Sequence, residues 1–141
     1  MPMTLDVLDD ITRASIKNNP KIGVTGMLLG IENRYLQYLE GQEEEVVELY
    51  RKIKKDGRHY EITEWVKGYS EDRIFKDWSM GSWLMNNHDL EKLSALKDIQ
   101  RFLKDPDTAT INSRKFISMM DGLLKTWIQH EPERALRLKE I

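Results

Sequence analysis

The sequence predicts an α+β fold built on a ferredoxin-like sheet. Segments whose apolar residues recur at helical spacing alternate with segments whose apolar residues recur at every second position, in the order α-β-β-α-β-β-α-α. A ferredoxin-like unit has the order β-α-β-β-α-β, which the chain matches once the first strand is left out. The prediction is therefore a ferredoxin-like sheet with two helices on one face, an absent first strand and a C-terminal helix pair.

Capping and breaking residues bound the two helices that belong to the sheet. The first is predicted over residues 4–19, because Thr4 can cap its start and Pro20 cannot continue it. The second is predicted over residues 43–56, where Gly57 suits the position after the last turn. Both helices are needed to cover the apolar face of a sheet.

The last part of the chain is predicted to be helical. Apolar residues recur at helical spacing over roughly residues 88–103 and again over 113–129. We therefore expect two units, a sheet-containing domain over residues 1–87 and a helical extension over 88–141.

The predicted strands show alternating apolar side chains. Residues 22–31 and 35–40 are predicted to form a hairpin, and two further strands cover about 61–69 and 79–85. In this topology the absent strand would lie between those at 35–40 and 61–69. Because unpaired strand edges recruit partners, we expect these two strands to pair directly, or another chain or segment to fill the slot.

Composition excludes several functional classes. The 141 residues carry a net charge of −2 and no cysteine, which argues against nucleic acid or an anionic membrane as a partner and excludes disulfide and thiolate chemistry. The three histidines are scattered and have no metal-ligand spacing. No apolar run approaches the length of a membrane span and the amino terminus is not a signal peptide. A cytoplasmic protein without a metal is expected.

Amide side chains recur at positions that should face a core. Asn18 and Asn19 end the first helix, and Gln37 lies in mid-strand between Tyr35 and Leu39. A buried amide must be hydrogen-bonded, and it offers both donors and acceptors. We expect Asn19 and Gln37 to point into one crevice between the first two helices. Such a crevice suits a planar heterocycle edged with carbonyl oxygens and ring nitrogens, as a flavin is.

Five short segments lie in a fixed order between residues 4 and 85. They are Asn18-Asn19, Gly23-Val24-Thr25-Gly26, Gln37 within Tyr-Leu-Gln-Tyr-Leu-Glu-Gly, Asp56-Gly57-Arg58-His59, and the run from Arg73 to Met80. In these segments and their spacing the chain resembles a BLUF domain, the flavin-binding family of blue-light sensors. The resemblance implies FAD as the cofactor (or FMN or riboflavin), no enzymatic activity, and signalling to a protein partner.

The resemblance implies a binding role for five side chains. Asn19 would hydrogen-bond the isoalloxazine edge, and Gln37 would be the amide beside N5 and O4 of the flavin. Arg58 and His59 would line the flavin near its polar edge and its tail. Asn18 occupies a further lining position whose residue type varies across the family.

The resemblance also implies a photochemical set. Gln37 would reorganise after excitation, and Trp78 and Met80 would be the alternating pair on the last strand that reports its state, with Trp78 near the ring. In the family a tyrosine on the first strand passes an electron to the flavin and hydrogen-bonds the glutamine. The sequence shows no counterpart of that strand. We therefore expect this chain to bind flavin weakly or not at all, and to show no stable red-shifted state.

Two other functions stay open. Each flagged residue also has a structural explanation, for example a helix end for the asparagines, dipole-favoured basic residues for Arg58 and His59, and packed core for Trp78 and Met80. On that basis the chain would be a flavin-free interaction or oligomerisation module, and a homo-oligomer is expected in either case. The remaining alternative is an acylphosphatase-like hydrolase using Arg58 and Asn19. The chain lacks the phosphate-cradling loop that such an enzyme needs.

Overall fold

The computed structural model describes residues 4–31, 34–55, 71–86 and 113–139. Within these ranges the chain forms, in order, α1 (Leu5–Asn18), a 3₁₀ turn (Asn19–Ile22), β1 (Thr25–Ile31), β2 (Arg34–Glu40), α2 (Glu43–Lys55), β3 (Gly81–Met85), α3 (Ser113–His130) and α4 (Pro132–Leu138). The predicted strand at 61–69, the predicted helix at 88–103, the expected domain boundary after residue 87, and Arg58 and His59 lie outside the described residues.

The three described strands form one mixed sheet with the order β2-β1-β3. β1 and β2 pair antiparallel with Leu28 opposite Gln37, which confirms the predicted hairpin. β1 and β3 pair in parallel with Leu28 opposite Ser82. Among the described residues β2 pairs only with β1. The expectation of a slot beside β2 therefore stays a prediction, because its other wall at 61–69 is not described.

Local chemistry explains how α1 leads into β1. Thr4 caps α1 as predicted, since its Oγ1 accepts a hydrogen bond from the backbone N–H of Val7 at 3.2 Å. The helix passes into the 3₁₀ turn and ends at Gly23, whose φ of 67° is in the left-handed region that glycine tolerates best. At Gly26 a Cβ would lie 2.0 Å from the carbonyl oxygen of Tyr38. The two glycines of the Gly23-Val24-Thr25-Gly26 segment are thus needed for different physical reasons: the first for its backbone conformation and the second for a close approach of another strand.

Two apolar clusters cover opposite faces of the sheet, because successive side chains of a strand point to opposite sides. The α1-side cluster contains Leu8, Ile11, Leu28 and Met80, with Tyr35, Leu39 and Leu84 packed against it. The α3-side cluster contains Met27, Leu29, Phe75, Trp78, Trp83, Met85, Met119, Met120, Leu123, Trp127 and Ala135, with Leu36 and Tyr38 packed against it. Helix α1 thus lies on one face and α3 on the other, and the predicted α+β class is confirmed.

Helix α4 was absent from the predicted elements. It begins with Pro132 in the first turn, where the missing N–H costs nothing, and it carries Glu133 near its start and Arg137 near its end. These signals are present in the sequence. With seven residues, however, the helix is too short to show a clear helical period.

Candidate functional site

Asn19 joins the end of α1 to the segment that leads into β3. Its side chain is 2% exposed, and its Nδ2 donates a hydrogen bond to the carbonyl oxygen of Ser79 at 2.8 Å. Its backbone carbonyl accepts from the N–H of Val24 at 3.1 Å, which fixes the start of β1. Asn18 is exposed and makes no side-chain capping bond. The two neighbouring amides are therefore not equivalent.

Gln37 lies at the middle of β2 on the same side of the sheet as α1. Tyr35 and Leu39, two positions before and after it, pack against the α1-side cluster, and alternation along the strand places Gln37 on their face. The side chain is half-buried, and no hydrogen bond joins it to another described residue. Both Asn19 and Gln37 thus belong to the α1 side of the sheet.

Met80 and Trp78 lie on opposite faces although they are two residues apart. Met80 is fully buried in the α1-side cluster, on the side of Asn19 and Gln37. Trp78 lies in the α3-side cluster, where its indole Nε1 donates to the carbonyl oxygen of Ala135 at 2.9 Å and its ring meets Trp127 edge-on at 5.6 Å between centroids.

The expectation that Trp78 lies near the flavin ring stays a prediction, while its indole lies on the face opposite Gln37. β3 begins only at Gly81, so residues 78–80 are not bound to the strict alternation of a strand. The carbonyl of Trp78 still accepts from Gly26 N–H at 3.2 Å, while its side chain turns to the face where an acceptor for the indole N–H is available. A buried indole N–H is more stable when it has such an acceptor.

Glu40 is an organising residue that sequence reasoning did not single out. Its carboxylate is buried at the end of β2 and accepts from the backbone N–H of Ile74 at 2.6 Å, from that of Phe75 at 2.9 Å and from the Tyr38 hydroxyl at 2.9 Å. Backbone donors to a carboxylate are strong, charge-assisted bonds. The only signal in the sequence was an acidic residue at the end of the strand, between Leu39 and Gly41.

The buried Glu40 carboxylate affects the ionisation of the neighbouring Tyr38 phenol. Burial of the phenol, then the negative charge of Glu40 and the hydrogen bond to it, raise the pKa of Tyr38 well above its ordinary value. The Tyr38 ring also packs at 5.7 Å from the ring of Phe75. Glu40 and Tyr38 together hold the segment that carries Phe75 and Trp78 against the sheet.

The α1 side of the sheet fits a flavin ring in its chemistry. It combines apolar walls with a buried amide at the end of α1 and a half-buried amide on β2. Cofactor sites typically have mostly apolar walls and a small number of polar groups at defined positions. Among residues 4–31, 34–55, 71–86 and 113–139, no group of three or more histidine, aspartate or glutamate side chains could hold a metal ion. Within the same ranges, no helix has both the length and the apolar character to cross a membrane.

The sequence of the chain matches one protein-family model. The family is BLUF, sensors of blue-light using FAD, and the match covers residues 1–81 of the 141. Together with the α+β fold and the amides on one face of its sheet, this match shows that the chain belongs to the BLUF family. BLUF domains bind flavin and act as sensor modules rather than as enzymes. The resemblance to this family is confirmed, whereas the absence of the first strand is not confirmed and stays a prediction.

Curated relatives share this domain within much longer proteins. The chain is 32% identical over 82 residues to photoactivated adenylate cyclase subunit beta of Euglena gracilis, covering 57% of this chain and 10% of that protein. It is 37% identical over 68 residues to the blue light- and temperature-regulated antirepressor BluF of Escherichia coli (strain K12), covering 48% and 17% respectively. The chain thus spans only about a tenth to a sixth of the length of these two proteins.

Solved structures of similar size share the fold over most of the chain. BlsA in its photo-activated state has a TM-score of 0.65 at 29% identity, with 85% of this chain and 82% of that chain covered. BlrB, a BLUF protein in its dark state, has a TM-score of 0.63 at 28% identity, with 88% of each chain covered. A bacterial light-regulated adenylyl cyclase aligns at a TM-score of 0.57 and 29% identity, but only 33% of that chain is covered.

Proposed function

We propose that this chain is a blue-light receptor domain that holds a flavin, with FAD as the first candidate, on the α1 side of its sheet. The observation that supports the proposal most directly is that Asn19 and Gln37 lie on the same side of the sheet as Met80 and the apolar residues of α1. Their amides can donate to ring carbonyls and accept from ring N–H groups.

Each candidate residue has a distinct part in holding the ring. Asn19 would present its amide to the polar ring edge from a position fixed by α1, while Leu8 and Ile11 exclude water from one wall. Asn18 would line the site from its exposed position at the helix end, and Arg58 and His59, outside the described residues, would line the polar edge and tail. A bound flavin would supply the absorption of blue light.

Gln37 would act as the switch. An amide has a donor end and an acceptor end, so that a rotated or rearranged amide exchanges one hydrogen-bond pattern for another without moving the backbone. Met80 is a buried residue on the same face, on the far side of β1, that such a change would reach. Two arrangements of this network would bias the segment before β3 and the terminal helices. The signal would then pass to an effector protein or through a homo-oligomer.

Titration of FAD into the purified chain tests the proposal, with quenching of flavin fluorescence as the measurement. Asn19→Ala should weaken binding by about 1–3 kcal/mol, because it leaves a buried ring edge unpaired. Asn18→Ala is the matched control, since Asn18 is the neighbouring amide but exposed. Arg58→Ala should weaken binding less than Asn19→Ala does. Equal dissociation constants for the two asparagine variants would contradict the assignment of Asn19.

A flavin-free interaction module is the second candidate. Two observations favour it: among the described residues β2 has a strand partner on one edge only, and Leu136 on α4 is 74% exposed. Folded, colourless oligomers that take up no FAD would support this alternative. Light scattering after gel filtration, combined with the FAD titration, separates the two functions.

A further inference from the structure

Arg134 connects three elements of the fold through one largely buried side chain. The side chain is only 11% exposed. Its Nε donates to the carbonyl oxygen of Ser82 at 2.9 Å, and its terminal nitrogen donates both to the Ser82 hydroxyl and to the Asp9 carboxylate, the latter at 2.8 Å. Arg134 belongs to α4, Ser82 to β3 and Asp9 to α1. The rigid fork of an arginine can make such a set of bonds where a lysine cannot.

The next residue of α4 makes a second link to the same part of the sheet. The carbonyl oxygen of Ala135 accepts the indole N–H of Trp78. Helix α4 is therefore fixed at Ser82 by one residue and at Trp78 by its neighbour. These two anchors flank Ser79, whose carbonyl accepts the side-chain amide of Asn19.

Besides the apolar packing of Leu8 and Ile11 with Met80, two polar links consequently hold α1 and the segment from Trp78 to Ser82 together. Asn19 joins them directly at the C-terminal end of α1. Asp9 joins them nearer the start of α1, but only through Arg134 of α4. A displacement of α1 relative to this segment cannot satisfy both links at once, because hydrogen bonds weaken steeply with distance and angle.

We propose that Arg134 is a latch that makes the docking of α4 conditional on the bond between Asn19 and Ser79. Loss of that bond lets α1 move against β3, separates Asp9 from Ser82 and releases Arg134. Release of α4 uncovers Trp78 and the edge of the α3-side cluster that Ala135 and Leu138 cover. The coupling is a property of the polypeptide and needs no flavin. If the proposed function holds, a ligand that engages Asn19 would act on α4 through it.

Hydrogen exchange measured by NMR tests the latch on the full chain without flavin. The reporters are the indole N–H of Trp78 and the backbone amides of residues 136–138. Arg134→Gln should accelerate their exchange by about tenfold or more, since charge-assisted bonds are lost. Arg137→Gln is the matched control, because Arg137 lies on the same helix and is exposed.

Asp9, the partner of Arg134 on α1, can be tested against a matched control of its own. Asp9→Asn should accelerate the same reporters, whereas Asp10→Asn should not, because Asp10 pairs only with exposed Arg13 within the described residues. The amides of Met27 and Leu28 in β1 report global unfolding. If they accelerate as much as the α4 reporters do, Arg134 is a general stabilising contact and the latch is refuted. Arg134→Lys keeps the positive charge but loses the fork of donors, so it should accelerate the α4 reporters less than Arg134→Gln does.

The decisive measurement is the effect of Asn19 on α4. Asn19→Ala should accelerate the α4 reporters, and the double variant with Arg134→Gln should fall short of the product of the single effects by about fivefold or more. A purely local role of Arg134 predicts no such shortfall. Effects that multiply within about twofold, or α4 reporters that do not respond to Asn19→Ala, would overturn the proposal. Neither result depends on whether the chain binds flavin.

Discussion

The side-chain amide of Asn19 donates to the backbone carbonyl of Ser79 at 2.8 Å, across 60 positions of sequence. This one bond fixes the end of α1 to the segment that carries Trp78 and Met80 to opposite faces of the sheet. A residue that the family resemblance assigns to the flavin is thus also a structural link between α1 and the approach to β3. A ligand that competes for this amide would alter the position of that segment.

Gly26 is expected to tolerate no side chain without a shift of the hairpin. A Cβ there would meet the backbone carbonyl of Tyr38 at 2.0 Å, and backbone cannot give way as a flexible side chain can. Gly26→Ala should lower the free energy of unfolding by about 3 kcal/mol or more, measured by urea denaturation. Gly122→Ala in α3, where nothing lies within 4 Å of the added Cβ, should raise it by about 0.5–1 kcal/mol. Equal effects of the two substitutions would contradict this account of the hairpin.

Tyr38 should make stability fall at alkaline pH. Because the folded state raises the pKa of Tyr38, the unfolded chain loses the phenolic proton first, from about pH 10 upward. The contribution of Tyr38 to the free energy of unfolding is therefore complete below that pH. It is lost as the pH rises, at up to about 1.4 kcal/mol per pH unit. Tyr38→Phe removes this slope, which is measured by urea denaturation at a series of pH values. A slope that is unchanged in Tyr38→Phe would exclude Tyr38 as its source.

Replacing Glu40 even by the isosteric glutamine should destabilise the fold. Each of its two carboxylate oxygens accepts a backbone N–H, from Ile74 and from Phe75. Glutamine has a single oxygen, so one of these N–H groups would face an amino group instead. Glu40→Gln should cost about 1–3 kcal/mol of unfolding free energy. Glu48→Gln is the control: Glu48 is exposed and pairs with Arg51 at 3.2 Å, and its loss should cost less than about 1 kcal/mol.

Light sensitivity should depend on what pairs with the second edge of β2, the strand that carries Gln37. Among the described residues that edge has no strand partner. Trp78, which would be the alternative to the family's tyrosine as electron donor, lies on the opposite face from Gln37. An indole also only donates hydrogen bonds and cannot relay a proton as a phenol does. We expect strong flavin uptake and a stable red-shifted state only when a strand that carries a tyrosine pairs with that edge.

Supplying a tyrosine-bearing strand ahead of α1 should increase both FAD affinity and the red shift on illumination, followed by absorption spectroscopy. The matched control is the same added strand with phenylalanine in place of that tyrosine, which should restore affinity but not the red shift. A reversible red shift from the chain without the added strand would contradict the need for it. Membership of the BLUF family would be unaffected.

Sequence alone determined the features that depend on neighbouring residues. The cap at Thr4, the end of the first helix before Pro20 and the hairpin follow from local patterns. The family assignment follows from short segments in a fixed order, and it needed no knowledge of their contacts. Helix α4 had local signals too, in Pro132 and Glu133, but seven residues hold too few turns to show a helical period.

Tertiary structure decided the contacts between residues far apart in the chain. Trp78 turns to the α3 side because an acceptor lies there on α4, at Ala135, 57 positions away. Arg134 donates a hydrogen bond to Asp9, 125 positions away, and Glu40 accepts one from the backbone of Phe75, 35 positions away. Neither periodicity nor capping carries information about such pairs, because both describe only the nearest turns of the chain. Which buried donor meets which acceptor is fixed only when the helices and the sheet pack together.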